Sequence, residues 1–350
     1  MTSPAPQPRP HLGGLIAGPA LALLLLLLPA PTGLPPEGWR TAAVALWMAV
    51  WWMTEALPIP VTALLPLVLF PFLGVLPMAE AAAPYANEVI FLFMGGFFLA
   101  AAMESSGLHR RVALDIIRRV GLGPERLVLG FMIATAALSM WISNTATTAM
   151  MLPIGVAVVE LFRHDEAREG FPLGVSLMLG MAYAASIGGV ATLIGTPPNA
   201  IFAGAVSELL GGDIGFGRWM LLGLPVTLVM LPLTWFLLVR VLHPPGALRG
   251  DAATILQAEL DDLGQASTAE RRVAWVFGLT ALCWIFRAPK VMGSVTVPGL
   301  QTLAPGIRDS TIAMAASLLL FVLPSGRPGR PLLTWERARG IPWGVLILFG

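Results

Sequence analysis

The sequence has few charged residues: aspartate, glutamate, lysine and arginine together make up 12% of its 350 residues. A soluble globular domain carries about 25% of these residues. Hydrophobic residues make up 56%, and they form long continuous runs rather than the alternating pattern of a membrane β-barrel. The composition therefore predicts an all-α integral membrane protein in contact with a lipid bilayer.

Cysteine and nucleotide-binding motifs are equally scarce. The only cysteine is Cys283, so the chain can form neither an internal disulfide nor a cysteine-based metal site. The net charge of +1 gives no reason to expect a nucleic-acid partner. The sequence contains no Walker motif, no GxSxG nucleophile elbow and no histidine at metal-ligand spacing. These absences argue against an ATP-driven pump and against an enzyme.

Apolar runs about as long as a bilayer is thick, charge-free apart from Glu55 near the end of the second run, define the predicted helices. They cover about 12–30, 41–57, 61–76, 89–103, 219–239, 273–286 and 310–323, with a last helix from 341. We interpret the first run as a retained helix rather than a signal peptide, because it is long enough to span and its flanks carry proline. An arginine-rich segment (109–126) and a polar linker (243–272) separate the runs.

Residues 127–159 are 33 consecutive uncharged residues, with Ser143, Asn144 and Thr145 at the midpoint. A single helix of that length is about 50 Å long, whereas the hydrocarbon core is about 30 Å thick. The stretch is therefore an oversized span or two half-length helices that meet at a polar tip. In the second case, free carbonyls at the tip suit a small cation and free amides suit an anion. Hydroxyl groups that merely bond to their own helix are the simpler alternative.

The distribution of arginine favours two half-length helices. With the amino terminus in the cytoplasm and residues 127–159 as a re-entrant hairpin, 16 basic residues fall inside and five outside. If the stretch crossed the membrane completely, the later arginine clusters at 240–272 and 327–339 would fall outside. We therefore predict a re-entrant hairpin and a cytoplasmic amino terminus.

A second uncharged stretch, residues 170–207, is interrupted by the sequence Gly-Thr-Pro-Pro-Asn at 195–199. The prolines lack backbone donors, and Gly195 permits backbone conformations that are closed to other residues. A simple proline kink is one interpretation, and an unwound loop that forms part of a binding site is the other. The small polar residues before the prolines favour the loop, and Asn199 is predicted to cap the helix that follows.

A short internal similarity relates residues 90–95 (IFLFMG) to residues 345–350 (VLILFG), 255 positions later. A generic apolar helix is one explanation of it. The odd number of predicted spans between the two copies favours inverted repeats instead. The offset places the counterpart of Ser143 near position 398, so the second repeat is expected to be truncated.

Two motifs resemble a known family: WISNTATTAMMLPI at 141–154 and AASIGGVATLIGTPPN at 184–199. They are similar to the divalent anion/sodium symporter family, whose members are secondary transporters of dicarboxylates such as succinate, malate and fumarate, or of citrate or sulfate. TEALPIPVTALLPL at 54–67 is also similar, and the resemblance covers about residues 35–350. It implies a Na⁺-coupled symporter of divalent anions, with C4-dicarboxylates first, in an inner or plasma membrane.

The resemblance also implies an architecture and a set of site residues. It implies a homodimer in which a transport domain, containing the hairpin and the broken fifth helix, moves like an elevator against a scaffold domain. Carried over by motif, the Na⁺ ligands are Ser139, Ser143, Asn144 and Gly195. The residues implied for substrate contact are Asn144, Thr145, Thr196 and Pro197.

The expected organisation has four parts: an amino-terminal segment with the first helix (1–38), a first inverted repeat (39–243), a cytoplasmic linker (244–272) and the start of a second repeat (273–350). Dicarboxylate exchange, and sulfate or citrate transport, are the alternatives within the family. A truncated, non-transporting membrane remnant is the alternative from another class. The remnant alternative arises because the second Na⁺ site and half of the substrate site are expected to lie beyond residue 350.

Overall fold

A computed structural model describes residues 12–163, 172–245, 258, 261–292 and 295–349. Within these residues the regular elements are helices, apart from a small antiparallel ribbon in which β1 (Lys290–Met292) pairs with β2 (Val295–Val297). The prediction of a helical protein is confirmed, with this ribbon as the one departure among the described residues. Part of the predicted linker at 244–272 lies outside them.

Seventeen helices can be given bounds in the described residues. They are α1 (Leu12–Leu27), α2 (Pro36–Thr54), α3 (Ile59–Thr62), α4 (Leu65–Leu73), α5 (Met78–Ala82), α6 (Glu88–Ser106), α7 (Leu108–Val120), α8 (Pro124–Ser139), α9 (Asn144–Arg163), α10 (Pro172–Val190), α11 (Pro197–Leu210), α12 (Phe216–Phe236), α13 (Thr268–Ile285), α14 (Leu300–Leu303), α15 (Asp309–Val322), α16 (Trp335–Ala338) and α17 (Trp343–Leu348). A 3₁₀ turn (Ala83–Ala86) precedes α6, and a π-helical turn (Leu237–Leu242) extends α12.

The chain forms two compact units within the described residues. One takes the described residues of 12–90 together with 342–349, and the other takes those of 91–341. In the first unit, the helix predicted at 61–76 is interrupted by a turn at Ala63 and Leu64, which separates α3 from α4. Pro66 lies in the first turn of α4, where its missing backbone donor costs nothing. The boundaries predicted for the repeats and the linker stay predictions.

Three helical stretches of the described residues are long and apolar enough to cross a membrane: Met78–Ser106, Pro172–Val190 and Phe216–Leu242. Shorter apolar helices cover Leu12–Leu27, Ile59–Leu73 and Asp309–Val322. Large apolar side chains stand exposed on these helices, with Leu221 70% and Leu228 71% accessible on α12. Such side chains suit contact with lipid, where their exposure has no hydrophobic cost.

The core of the second unit lies along α8, which packs against α7 and α10. Phe131 and Met132 of α8 are completely buried. Small residues bring these helices close: a Cβ on Gly130 would lie 3.1 Å from the Cα of Ile117 in α7. On the other side, a Cβ on Gly188 of α10 would lie 2.6 Å from the Cα of Ala136. Close helix approach at small residues is typical of membrane helix interfaces.

The arginine-rich segment is an amphipathic helix, α7, which the analysis of charge-free runs did not identify as helical. Ala113, Leu114 and Ile117 recur at helical spacing and are buried, while Arg118 and Arg119 lie on the exposed side. This is the pattern of a helix with one apolar face on a core and one polar face outside.

Arg111 ties α7 to the beginning of α13. Its Nε donates to Oε1 of Glu270 at 2.7 Å, and its other donors reach the carbonyls of Leu263 and Gly264. Glu270 is buried, and its carboxylate also accepts the backbone amide of Ser267 in a capping box. Burial raises the pKa of Glu270, but the hydrogen bonds from Arg111 and Ser267 outweigh it, so the pKa lies below its ordinary value.

Glu270→Gln keeps a capping-box side chain but removes the charge that Arg111 binds. We expect it to lower the free energy of unfolding by about 2–3 kcal/mol near pH 7. Because folding lowers the pKa of Glu270, its charge stabilises the fold fully above the ordinary value of 4.5. That stabilisation is lost as the pH falls through the lower folded-state value. Unfolding of the detergent-solubilised protein, followed as the pH is lowered, measures both effects.

Asp115→Asn is the matched control, because Asp115 pairs with the exposed Arg118 and Arg119 on the same helix. Exposed ion pairs contribute about 1 kcal/mol or less. A Glu270→Gln protein no less stable than the Asp115→Asn protein would contradict the assigned role of the Arg111–Glu270 pair.

Candidate functional site

The long uncharged stretch 127–159 is broken at its polar centre. Helix α8 ends at Ser139, and α9 begins at Asn144. The amides of Met140 and Ile142 bond to the carbonyls of Ala136 and Leu138, which closes the last turn of α8. The break therefore lies where the Ser-Asn-Thr triplet predicted it. Whether both helices enter the membrane from one side stays a prediction.

Trp141 anchors the turn between α8 and α9 in a cluster of aromatic rings. Its ring lies edge-on to Phe277 at 4.7 Å and stacks at 5.9 Å from Phe216 and 6.4 Å from Trp284. The cluster is itself fixed by Asp309, whose carboxylate accepts the amide of Phe216 at 2.8 Å and whose backbone carbonyl accepts the indole N–H of Trp284 at 2.9 Å. The position of the turn is thus set by α12, α13 and α15.

The second break separates α10, which ends at Val190, from α11, which begins at Pro197. The prediction placed the break at 195–199, but Pro197 and Pro198 form the first turn of α11, where a missing N–H costs nothing. The prediction that Asn199 caps the helix is wrong, since it is the third residue of α11. Its Nδ2 instead donates to the carbonyls of Gly189 at 2.8 Å and Thr192 at 2.7 Å.

Hydrogen bonds join the two breaks. Ser139 Oγ lies 2.7 Å from Oδ1 of Asn144 and 2.7 Å from the carbonyl oxygen of Ala185 in α10. The Thr192 hydroxyl, in the second break, donates to the carbonyl of Met140, in the first. Ser139 has one hydroxyl proton for two acceptors. The oxygens of Ser139, Asn144 and Ala185 therefore lie together, and only one hydroxyl proton is shared among them.

Glycine makes this close approach possible. A Cβ on Gly189 would lie 2.5 Å from Oδ1 of Asn144, and a Cβ on Gly195 would lie 2.9 Å from the Cα of Gly189. Both distances are too short for any side chain. Glycine is therefore required at both positions, so that Asn144 and the second break can pack against the end of α10.

The predicted site residues do not all lie in one cluster. Ser139 and Asn144 bond to each other, and Gly195 packs on Gly189 beside them. Ser143 has the contacts of a helix cap, because its Oγ accepts the amide of Ala146 and its carbonyl accepts that of Thr147. Thr145 is exposed. Thr196 and Pro197 are half-buried at the start of α11.

The beginning of α9 has open backbone donors. In the part of the chain that the structure describes, the amides of Asn144 and Thr145 have no backbone partner. Helix α9 has 20 residues, and the first amides of such a helix carry a partial positive charge that favours anions. Neither of the uncharged stretches, 127–159 and 170–207, supplies a charged side chain.

Sequence reasoning missed the roles of Ala185 and Thr192 and the orientation of Asn199. Ala185 acts through its carbonyl, which no side-chain pattern reveals. The pair Gly188-Gly189 was the available signal, because adjacent glycines in an apolar helix often mark a close backbone approach.

The sequence of the chain is also similar to those of known proteins. The family described as the sodium:sulfate symporter transmembrane region matches residues 11–350. The chain belongs to this family. It is therefore an integral membrane protein of the divalent anion/sodium symporter family, as the motifs at 141–154 and 184–199 had suggested.

Individual relatives are also similar. The chain is 42% identical over 346 residues to the sodium-dependent dicarboxylate transporter SdcS of Staphylococcus aureus strain RF122. It is 41% identical to the proteins of the same name from strains MSSA476 and MW2. Each match covers 96% of this chain and 65% of the relative. The chain thus spans about two thirds of the length of these relatives.

Gly189→Ala tests the close packing of the two helix breaks. The added methyl group must displace the Asn144 amide, so we expect the free energy of unfolding to fall by about 1–3 kcal/mol. Gly278→Ala is the matched control, because nothing lies within 4 Å of a Cβ there. Alanine in that helix should raise stability by up to about 1 kcal/mol. Thermal unfolding in detergent compares them, and equal stability of the two variants would contradict the packing described.

Proposed function

We propose that this protein is a Na⁺-coupled symporter of divalent anions, with C4-dicarboxylates such as succinate as the first candidates. The observation that carries the proposal is the cluster of Ser139, Asn144 and Ala185 oxygens beside the open amides of α9. Cation and anion sites that share one residue, Asn144, supply a direct route for coupling. The relatives named as sodium-dependent dicarboxylate transporters support the choice of ion and substrate.

The oxygen cluster fits Na⁺ by the chemistry of its donors. Hydroxyl, amide and backbone carbonyl oxygens are hard, uncharged ligands of the kind that discontinuous membrane helices offer to coupling ions. When Na⁺ binds, the acceptors that compete for the Ser139 proton turn their lone pairs to the cation instead. We assign Ser139, Asn144 and the Ala185 carbonyl to this site. Gly195 allows the approach of the second break, and Ser143 stabilises the beginning of α9.

The anion is proposed to bind at the amino-terminal end of α9. The open amides of Asn144 and Thr145 and the exposed Thr145 side chain point to this end as a carboxylate site. Thr196 and Pro197, at the start of α11, are proposed to border it from the second break. Burying a dianion among uncharged residues is very costly. Bound Na⁺ compensates its charge, so anion affinity should depend on Na⁺.

Several broader features belong to the same proposal. The 16 residues of α8 rise about 24 Å and the 20 residues of α9 about 30 Å, so the proposal of a re-entrant hairpin rests on the distribution of arginine. The excess of arginine on one side supports a cytoplasmic amino terminus in an inner or plasma membrane. Inverted repeats, a homodimer and an elevator motion follow from the family resemblance, and the hairpin with α10 and α11 would move as one body.

Asn144→Ala removes an oxygen from the cation site and disturbs the anion site. We expect it to reduce Na⁺-driven succinate uptake by at least about 100-fold, since two binding contributions of about 1.4 kcal/mol each are lost. Uptake into proteoliposomes with an imposed Na⁺ gradient, measured on the complete gene product, tests this. Wild-type rates in the variant would refute the site.

Asn87→Ala is the matched control, because the side chain of Asn87 accepts the amide of Val89 at the start of α6 and is not assigned to the proposed site. It should cost some stability but leave Na⁺-driven uptake intact. In the same vesicles, succinate counterflow that persists without Na⁺ would favour an exchanger instead. Uptake of sulfate or citrate in preference to succinate would identify that anion, rather than a C4-dicarboxylate, as the substrate.

A further inference from the structure

A polar cavity of about 430 Å³ lies in the second unit, away from the two helix breaks. It is bordered by the end of α6, the start of α13, the loop after α15 and helix α16. The lining residues are Ser105, Ser106, Ser267, Thr268, Ala269, Ser325, Gly326, Arg327, Arg330, Pro331, Leu332, Thr334 and Arg337. Three arginines and six hydroxyl side chains line the cavity, and no carboxylate does.

The three arginines of this cavity are available for a ligand. Arg327, Arg330 and Arg337 are exposed, and their guanidinium groups have no ion-pair or hydrogen-bond partner among the described residues. By contrast, Arg111 and Arg287, in the same unit, each pair with a carboxylate. Three positive charges facing one cavity without compensation repel each other. Such an arrangement favours a bound anion.

The loop that carries two of these arginines is held in place. The amide and the hydroxyl of Ser325 both donate to the carbonyl of Arg330, at 2.8 and 2.9 Å. Arg272 in α13 donates to the carbonyl of Pro324 at 2.5 Å. The backbone of the loop is therefore fixed without use of the Arg327 or Arg330 side chains, so the cavity is preorganised for its ligand.

The cavity lies at the ends of apolar helices. Leu318 and Val322, at the end of α15, are 63% and 76% exposed, and the arginine loop follows directly. In α13, which begins at the cavity, Trp275 is 79% exposed two turns later. Trp335 of α16 is 62% exposed beside the cavity. Exposed tryptophan next to arginine marks the depth of lipid head groups.

We propose that this cavity binds a phosphate-bearing anion. A carboxylate is planar and is satisfied by one bidentate guanidinium, whereas a tetrahedral phosphate offers oxygens on several sides to several donors. Three arginines with the hydroxyls of Thr268 and Thr334 match the second geometry. The volume also exceeds that of an inorganic ion and accommodates a phosphorylated glycerol group. The source is a membrane phospholipid head group or a soluble phosphomonoester.

Ligand-induced thermal stabilisation of the purified complete protein tests the proposal and separates the two sources. One arm adds phosphatidylglycerol in mixed micelles, and the other adds glycerol 3-phosphate in detergent; succinate at equal ionic strength is the reference anion. The test variant is Arg327→Gln combined with Arg330→Gln. The control is Arg271→Gln, which removes an exposed arginine of α13 that does not line the cavity.

We expect stabilisation by at least one phosphate compound and not by succinate. The apparent affinity should fall about tenfold for each guanidinium removed and should be unchanged in Arg271→Gln. The arm that responds identifies the source. The proposal is overturned if neither phosphate compound stabilises the wild type more than succinate does. It is also overturned if the double variant, with an unchanged melting temperature in the absence of ligand, responds as the wild type does.

Discussion

The contact between Asn144 and Gly189 is the constraint on which the rest of this structure depends. Because Gly189 has no side chain, the Asn144 amide lies directly against α10 and reaches Ser139, which in turn reaches the Ala185 carbonyl. Asn199 then bonds to the Gly189 carbonyl from the second break. One glycine thus lets two interrupted helices share a single network of uncharged polar groups.

This network explains how an interrupted helix can persist inside an apolar unit. Free carbonyls at a helix end are costly where water is absent, and here side chains satisfy them: Thr192 reaches Met140, and Asn199 reaches Gly189 and Thr192. The aromatic cluster around Trp141 fixes the turn from outside. What is left over is a surplus of acceptors near Ser139 and open donors at the start of α9. These two features are the groups that we propose bind Na⁺ and the anion.

Features that follow from uninterrupted apolar runs in the sequence could be predicted. Features that depend on contacts with residues distant in the sequence could not. Residues 127–159 are too long for one span, so the break near Asn144 could be predicted. Helix α7 was missed because its charges interrupt the apolar runs used to find helices, although Ala113, Leu114 and Ile117 carry a helical period. The orientation of Asn199 and the role of the Ala185 carbonyl depend on tertiary packing, which no local pattern specifies.

The central claim is that cation and anion sites are coupled through Asn144, and equilibrium binding to the purified protein tests it most directly. Succinate affinity is to be measured with and without Na⁺, and Na⁺ affinity with and without succinate. We predict that Na⁺ raises succinate affinity by at least about tenfold and that succinate raises Na⁺ affinity by the same factor, because linkage between two sites is reciprocal. A succinate affinity that is unchanged when Na⁺ is replaced by an inert cation would contradict the account.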